Sequence, residues 1–440
     1  MTEGRKFLLA ITLLHLVFFV LSLSMGHIVL PDSEDYIWQA TNFDATGSFY
    51  AANPALPIKI DYFSKRPPFY GLFIWAITSL FSSLYAVIFF QNLLSIIAAW
   101  WIYKLLKDNF NIKKAALYTV VLWTAFPNQL LYANMVMSET LLQFLIVAAF
   151  YCFVQYWQNP QKKHFIYLNS IVLAVALLTK PVMLYFWLIN FVLLLVFGIK
   201  TRRYWLPLPV LIIPLVAVLW SEVNYTKTGY RHYSSITHIN LKDYNTKYFL
   251  FSKYGSQYGD SVIDIIDQKA ATLPTYATQA EYIKDTCKHI LLSDIPAYGK
   301  FHARGMLNFM GDPGRYDYVS FFNIPQTDGL GLLHYLSKGN MQELQGFIKT
   351  QPLWLIVVLL LSMLVNGIIL VLCFVYLFTK NTPLWPKVYL LALAGYIWFV
   401  TGPIGSARFK VPIYPLLIIA SAISIQWVYL RLKKSKLASV

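Results

Sequence analysis

Five short stretches of this 440-residue chain hold residue types suited to acid–base and phosphate chemistry. In Pro31-Asp-Ser-Glu-Asp-Tyr36 three carboxylates, Asp32, Glu34 and Asp35, fall within four positions. Read as the first turn of a helix, Asp32 and Asp35 share a face and Glu34 points elsewhere. Such carboxylates suit general-base work; helix capping, with Asp32 or Ser33 as N-cap, explains them equally. In Lys65-Arg66-Pro67-Pro68-Phe-Tyr70 the paired prolines start a helix, and the cations suit either a bound anion or snorkelling to lipid phosphate. Ser138-Glu139 opens an apolar run, where capping by Ser138 is the simple explanation. Lys180, in Leu177-Leu-Thr-Lys-Pro-Val-Met183, separates two apolar runs with almost no loop. A lysine at such depth costs up to about 2.5–3.5 kcal/mol, which a nearby anion offsets, although snorkelling at a helix end is the alternative. Gly405-Ser-Ala-Arg408-Phe-Lys410-Val-Pro-Ile-Tyr-Pro415 sets two more cations before the last apolar run.

The elements that must position these residues are membrane helices. The chain is 58% hydrophobic and 13% charged, against roughly 45–50% and about 25% in soluble domains. A simple soluble globular protein is thereby excluded. Mean hydropathy is +0.53, and 31 Phe, 31 Tyr and 13 Trp supply rings for both interfaces. Runs long enough to span a bilayer fall near 7–25, 84–104, 115–133, 140–157, 165–179, 182–199, 204–221, 353–378, 388–402 and 411–430. The apolar stretch Phe69–Phe81 reads as an interfacial or re-entrant helix, because counting it as a span puts the basic Lys104–Lys114 loop outside. The first run, behind Arg5-Lys6, is expected to stay uncleaved. The fold class expected is an all-α polytopic membrane protein with ten or eleven helices.

The net charge of +16 follows from the same topology. Short loops between the apolar runs hold 17 Lys and Arg, opposed only by Glu3 and Asp108, and the positive-inside rule places them in the cytoplasm. No nucleic acid is needed to explain the surplus. Alternation then puts residues 26–68 and 222–350 outside. The second segment carries 13 Lys/Arg and 12 Asp/Glu, so it is no electrostatic platform; Ala280–Leu292 and Ile295–Met310 read as helices and Asp312-Pro-Gly-Arg315 as a turn. On the second of these helices Lys300 and Arg304 share a face at i,i+4, suited to a lipid headgroup or to solvent. The organisation expected is 1–221, a transmembrane module with the first outer loop; 222–350, an extracytoplasmic segment; and 351–440, the terminal helices. Three cysteines give no disulfide framework and no metal-ligand spacing.

The outer assignment gathers Asp32, Glu34, Asp35, Arg66, Glu139, Lys180, Arg408 and Lys410 at one membrane face. Carboxylates beside cations suit transfer of a sugar from a lipid-linked phosphate, one accepting a proton and the others neutralising the departing phosphate. A transporter or flippase of a lipid-linked or anionic substrate is the alternative. It should show polar residues at mid-membrane depth and corresponding broken helices in two halves, and no internal repeat is present.

Asp-Ser-x-x-Tyr after the first helix, Arg-Pro-Pro-x-Tyr, Ser-Glu, Leu-Thr-Lys-Pro and Ala-Arg-Phe-Lys-Val-Pro, in that order over residues 1–221 and 353–430, resemble the polytopic GT-C glycosyltransferases. Bacterial relatives of the protein O-mannosyltransferases and the aminoarabinose lipid A transferases are most similar. The resemblance implies a GT-C-like bundle, a polyprenyl-phosphate-sugar donor, inversion at the anomeric carbon, and an outward-facing active site in the bacterial inner membrane. It places the first-loop catalytic carboxylate on Asp32, with Glu34 or Asp35 as fallback, and the second acidic position on Glu139. The phosphate-side cations fall on Lys180 and Arg408, with Arg66 beside them. The acceptor, a lipid, glycan or protein, is left open because no acceptor-binding domain is recognisable in 222–350. Some members use a divalent cation, for which Asp32, Glu34, Asp35 and Glu139 could supply oxygen ligands.

Overall fold

The computed structural model describes residues 2–25, 27–325, 341–380 and 382–438. Among them every regular element is a helix. Eight are long and apolar enough to cross a membrane: Glu3–Ser24, Leu84–Asn109, Glu139–Gln158, Pro181–Thr201, Leu208–Thr228, Leu353–Leu377, Leu384–Thr401 and Ala407–Lys433. Three shorter apolar helices, Pro68–Phe81, Ala115–Thr124 and His164–Thr179, complete the set. At 1.5 Å per residue the 14-residue helix Pro68–Phe81 is about 21 Å long, short of a bilayer's hydrocarbon core of about 30 Å.

We number as α1 Glu3–Met25, α2 Pro31–Thr46, α3 Pro68–Phe81, α4 Leu84–Lys104, α5 Ala115–Thr124, α6 Asn128–Ala133, α7 Glu139–Gln158 and α8 His164–Thr179. The expected span at 115–133 is two pieces. Helix α5 stops at Thr124, Pro127 denies a backbone donor to any continuation, and α6 is a six-residue turn of helix buried throughout. Helix α7 and the last helix, α20 (Tyr414–Ala438), lie at the centre. Along most of its length α7 shows no exposed face, as expected of a helix apolar all round. Peripheral helices instead leave large apolar side chains uncovered, Leu9 and Val20 on α1 and Leu364 on Leu353–Leu377 among them, a surface suited to lipid chains.

Between Thr228 and Leu353 the chain builds helices from polar sequence, including α13 (Ser256–Ala271), α14 (Tyr276–Leu292), α15 (Ile295–Gly311) and α16 (Arg315–Phe321). Ile263, Ile266 and Cys287 form a small apolar cluster there, separate from the main core. Helix α15 approaches the end of α19 (Leu384–Thr401) very closely. A Cβ on Gly305 would stand 2.1 Å from the carbonyl oxygen of Gly402, so no larger residue fits there without separating the two elements. His302 Nε2 meets the Phe399 carbonyl at 2.8 Å, and Trp398 Nε1 donates to the Met306 carbonyl at 2.8 Å.

Candidate active site

Each candidate residue stands where a helix begins or breaks. Pro31 is the first residue of α2, and Ser33 Oγ accepts the Leu30 N–H at 2.8 Å. The N-cap is therefore Leu30, neither Asp32 nor Ser33, and the carboxylates remain free for other partners. Asp32 and Asp35 do share a face, and both meet Arg66. The Arg66 Nη2 donates to Asp32 Oδ1 at 2.8 Å and its Nε to Asp35 Oδ2 at 2.9 Å. Lys65 Nζ adds a contact to Asp35 Oδ1 at 3.1 Å. Glu34 is exposed and outside this network. Arg66 itself is fixed by the Pro67-Pro68 start of α3 and by Gln39 Nε2, which donates to its carbonyl at 2.8 Å. Its guanidinium stands over the Tyr36 ring at 5.1 Å.

Glu139 is the first residue of α7 and fully buried. Ser138 does not cap this helix: its backbone is already helical, and its hydroxyl meets Tyr36 OH at 3.1 Å instead. Lys180 is extended because it precedes Pro181, which ends α8 and turns the chain into the next span. Its Nζ donates to Glu139 Oε1 at 2.6 Å. Arg408 lies in the 3₁₀ segment Ala407–Ile413, which leads into α20. Its Nη1 donates to Asp32 Oδ2 at 2.6 Å, while its Nε donates to Glu139 Oε1. One guanidinium thus joins the two acidic positions, and Asp35, Arg66, Asp32, Arg408, Glu139 and Lys180 form a single chain of alternating charge.

Accessibility divides the two carboxylates. The Asp32 side chain keeps 36% of its surface and the Glu139 side chain none. Burial acts to raise the Asp32 pKa, but Arg66 and Arg408 outweigh it and hold the carboxyl well below the usual carboxylate range. Asp32 is ionised and reachable; Glu139 is a buried counter-ion whose Oε2 has no hydrogen-bond partner among the described residues.

Lys410 is buried and points away from this chain, its Nζ donating to the Met310 carbonyl at 3.0 Å. Lys300 and Arg304 are exposed on α15 and take no part in the cluster. A divalent cation needs converging oxygen ligands. Among the described residues no group of three or more His, Cys, Asp or Glu is placed to hold one, and Asp32, Asp35 and Glu139 face cations instead.

Two further acids, Asp317 buried and Asp312 part-buried, are not among the residues the sequence singles out. Asp317 accepts from Tyr132 OH and Asn128 Nδ2, both at 2.7 Å, and burial pushes its pKa up to about 7 despite those donors. Asp312 Oδ2 accepts the Ala407 N–H at 2.7 Å, so the turn after α15 holds the start of the segment that carries Arg408. No spacing announces Asp317; for Asp312 the Asp-Pro-Gly turn was the available signal.

Residues 65–221 match the sequence model of the family described as dolichyl-phosphate-mannose-protein mannosyltransferase. Among solved structures, similarity is found to ArnT from Cupriavidus metallidurans in the apo state, at 13% identity and TM-score 0.41, covering 96% of this chain and 78% of that one. ArnT from the same organism bound to undecaprenyl phosphate gives 14% identity, TM-score 0.44 and the same coverage. The archaeal oligosaccharyltransferase AglB from Archaeoglobus fulgidus, in complex with an inhibitory peptide and a dolichol-phosphate, gives 12% and 0.43, covering 97% of this chain and 52% of that one. No curated protein matches the chain. The matched family span carries Arg66, Glu139 and Lys180, and over residues 65–221 this chain resembles the dolichyl-phosphate-mannose-protein mannosyltransferases.

Proposed function

We propose that this protein is an integral-membrane glycosyltransferase that moves a sugar from a polyprenyl-phosphate donor to an acceptor hydroxyl on the face opposite the basic loops. The observation that carries the reading is the Arg408 guanidinium bridging Asp32 and Glu139, with Arg66 and Lys180 on either side. The family match over residues 65–221 supports it. Three cations within reach of one partly open point suit a leaving phosphate, whose charge grows as the bond to the sugar breaks. The acceptor oxygen bonds to the anomeric carbon, the carbon–oxygen bond to phosphate breaks, the electron pair leaves with the phosphate, and Asp32 takes the acceptor proton. Attack from the side opposite the leaving group inverts the anomeric centre.

In the resting site Arg66 and Arg408 weaken Asp32 as a base. A bound phosphate competes for the same guanidiniums, which returns basicity to Asp32 when the donor is in place. Glu139, without solvent contact, holds Lys180 and Arg408 for that purpose. The test is purified protein in lipid vesicles with a labelled polyprenyl-phosphate sugar and a membrane extract from cells lacking the gene. Label should move into the extract with release of polyprenyl phosphate and an inverted linkage by NMR. Movement of intact donor between leaflets without cleavage would instead support a flippase.

A further inference from the structure

A cavity of about 440 Å³ lies apart from the charge chain, between the end of the first outer loop and the outer helices. Lys59, Asp61, His238, Lys242, Tyr276 and Gln279 form its polar lining, with aliphatic side chains between them. That volume is in the range of small-ligand sites, roughly 300–1,000 Å³.

The lining is arranged but incompletely partnered. The Asp61 carboxylate is part-buried and makes no hydrogen bond or ion pair with another described side chain. Burial raises its pKa while Lys65 and Lys59 act the other way. A part-buried carboxylate with only its own backbone N–H as donor keeps acceptor capacity that a ligand can fill. Gln279 gives an amide hydrogen to the Leu273 carbonyl at 3.0 Å and leaves its own oxygen available. The Tyr276 ring stands 5.9 Å from His232 and 6.1 Å from His238, and its hydroxyl meets His238 Nε2 at 3.0 Å. Lys242 is taken up by Asp267 at 2.5 Å. Lys59 and Asp61 then balance one another, so the cavity holds no excess charge to select a polyanion.

Its wall is joined to the backbone that carries Lys65 and Arg66. Ser235 Oγ donates to the Asp61 carbonyl at 2.7 Å and Ser234 Oγ to the Lys65 carbonyl at 2.8 Å. His232 Nε2 meets Ser64 Oγ at 2.7 Å. An occupant of the cavity therefore rests on the same short segment that grips Asp32 and Asp35.

We propose that this cavity binds the sugar portion of a carbohydrate acceptor, an assignment that rests on the glycosyl-transfer reading above. Adjacent sugar hydroxyls donate to Asp61 and accept from Lys59, the Gln279 oxygen takes a further hydroxyl, and the C–H face of the ring packs on Tyr276. A fatty chain has no donor for Asp61.

The test uses the full-length protein in vesicles, labelled donor, and increasing amounts of the gene-deleted membrane extract. Asp61→Asn and Gln279→Ala should each raise the half-saturating amount of extract by about tenfold, while donor half-saturation moves less than twofold. Periodate, which cleaves vicinal diols, should destroy the extract's acceptor capacity, and protease should spare it. Unchanged acceptor saturation in both variants, or capacity lost to protease and spared by periodate, overturns the assignment while transfer by the wild type keeps the broader reading intact. No cleavage of donor by the wild type under any condition overturns the broader reading, and the acceptor site with it.

Discussion

At the scale of single residues the decisive comparison is Asp32 against Glu139. Asp32→Asn keeps the size and most contacts of the side chain but cannot take a proton, so transfer should fall by at least about 10²-fold at unchanged protein level. Equal transfer by variant and wild type, measured with purified protein and labelled donor, would move the base elsewhere. Lys180→Met should lower turnover more than donor binding, because the charge on the phosphate is greater in the transition state than in the bound donor; full turnover would reduce Lys180 to a snorkelling lysine. Asp317 gives a pH signature. Its pKa is about 7 in the folded protein against an ordinary 3.8, so the folded state holds the extra proton between those values. Stability from this residue is then fully present below about pH 4 and lost as pH rises through 7. The thermal midpoint of detergent-solubilised protein should fall across that window, and Asp317→Asn should be flatter; parallel profiles would refute the assignment. The Asp32–Asp35 face was legible because three residues apart on a helix is a local relation. The pairing of Asp32 with Arg408 was not, since these residues are 376 positions apart and only the packed bundle relates them.

At the scale of elements, what matters is how the outer helices hold the Arg408 segment. Asp312 accepts the Ala407 N–H at 2.7 Å, and Asn366 Nδ2 donates to the Asp312 carbonyl at 3.0 Å. Asp312→Ala frees the start of the 3₁₀ turn, and turnover should drop by roughly tenfold for the loss of one charge-assisted hydrogen bond, with Asp312→Asn recovering part of it. If Asp312→Ala kept full activity, the turn would be shown to hold Arg408 without this contact. Gly305→Ala is expected to lower the thermal midpoint and the yield, because its Cβ meets a backbone oxygen that has nowhere to move; wild-type values would show that α15 shifts freely. The apolar runs of the sequence marked most helices well. They missed the break between α5 and α6, where apolar character continues across Pro127, and they assigned Ser138 a capping role that its helical backbone denies.

For the whole molecule, the distribution of basic loops sets the orientation. Single cysteines in a cysteine-free background should react with an impermeant reagent from outside at position 253 and resist it at position 107. Outside labelling at 107 would mean that Phe69–Phe81 crosses the membrane as a full span. The long separation of the paired charges has a consequence for biogenesis. Glu139 and Lys180 are 41 residues apart and stand at the start of α7 and the end of α8, so their pair needs only those two neighbouring helices. Arg408 is made only when most of the chain has been inserted, and it is the residue that ties Glu139 to Asp32. A chain lacking Arg408 can thus keep its buried lysine and glutamate as a mutual pair, but without the link from Glu139 to Asp32. Truncation before Arg408 is therefore expected to leave two separate charge clusters, Asp32–Arg66–Asp35 and Glu139–Lys180, in place of one.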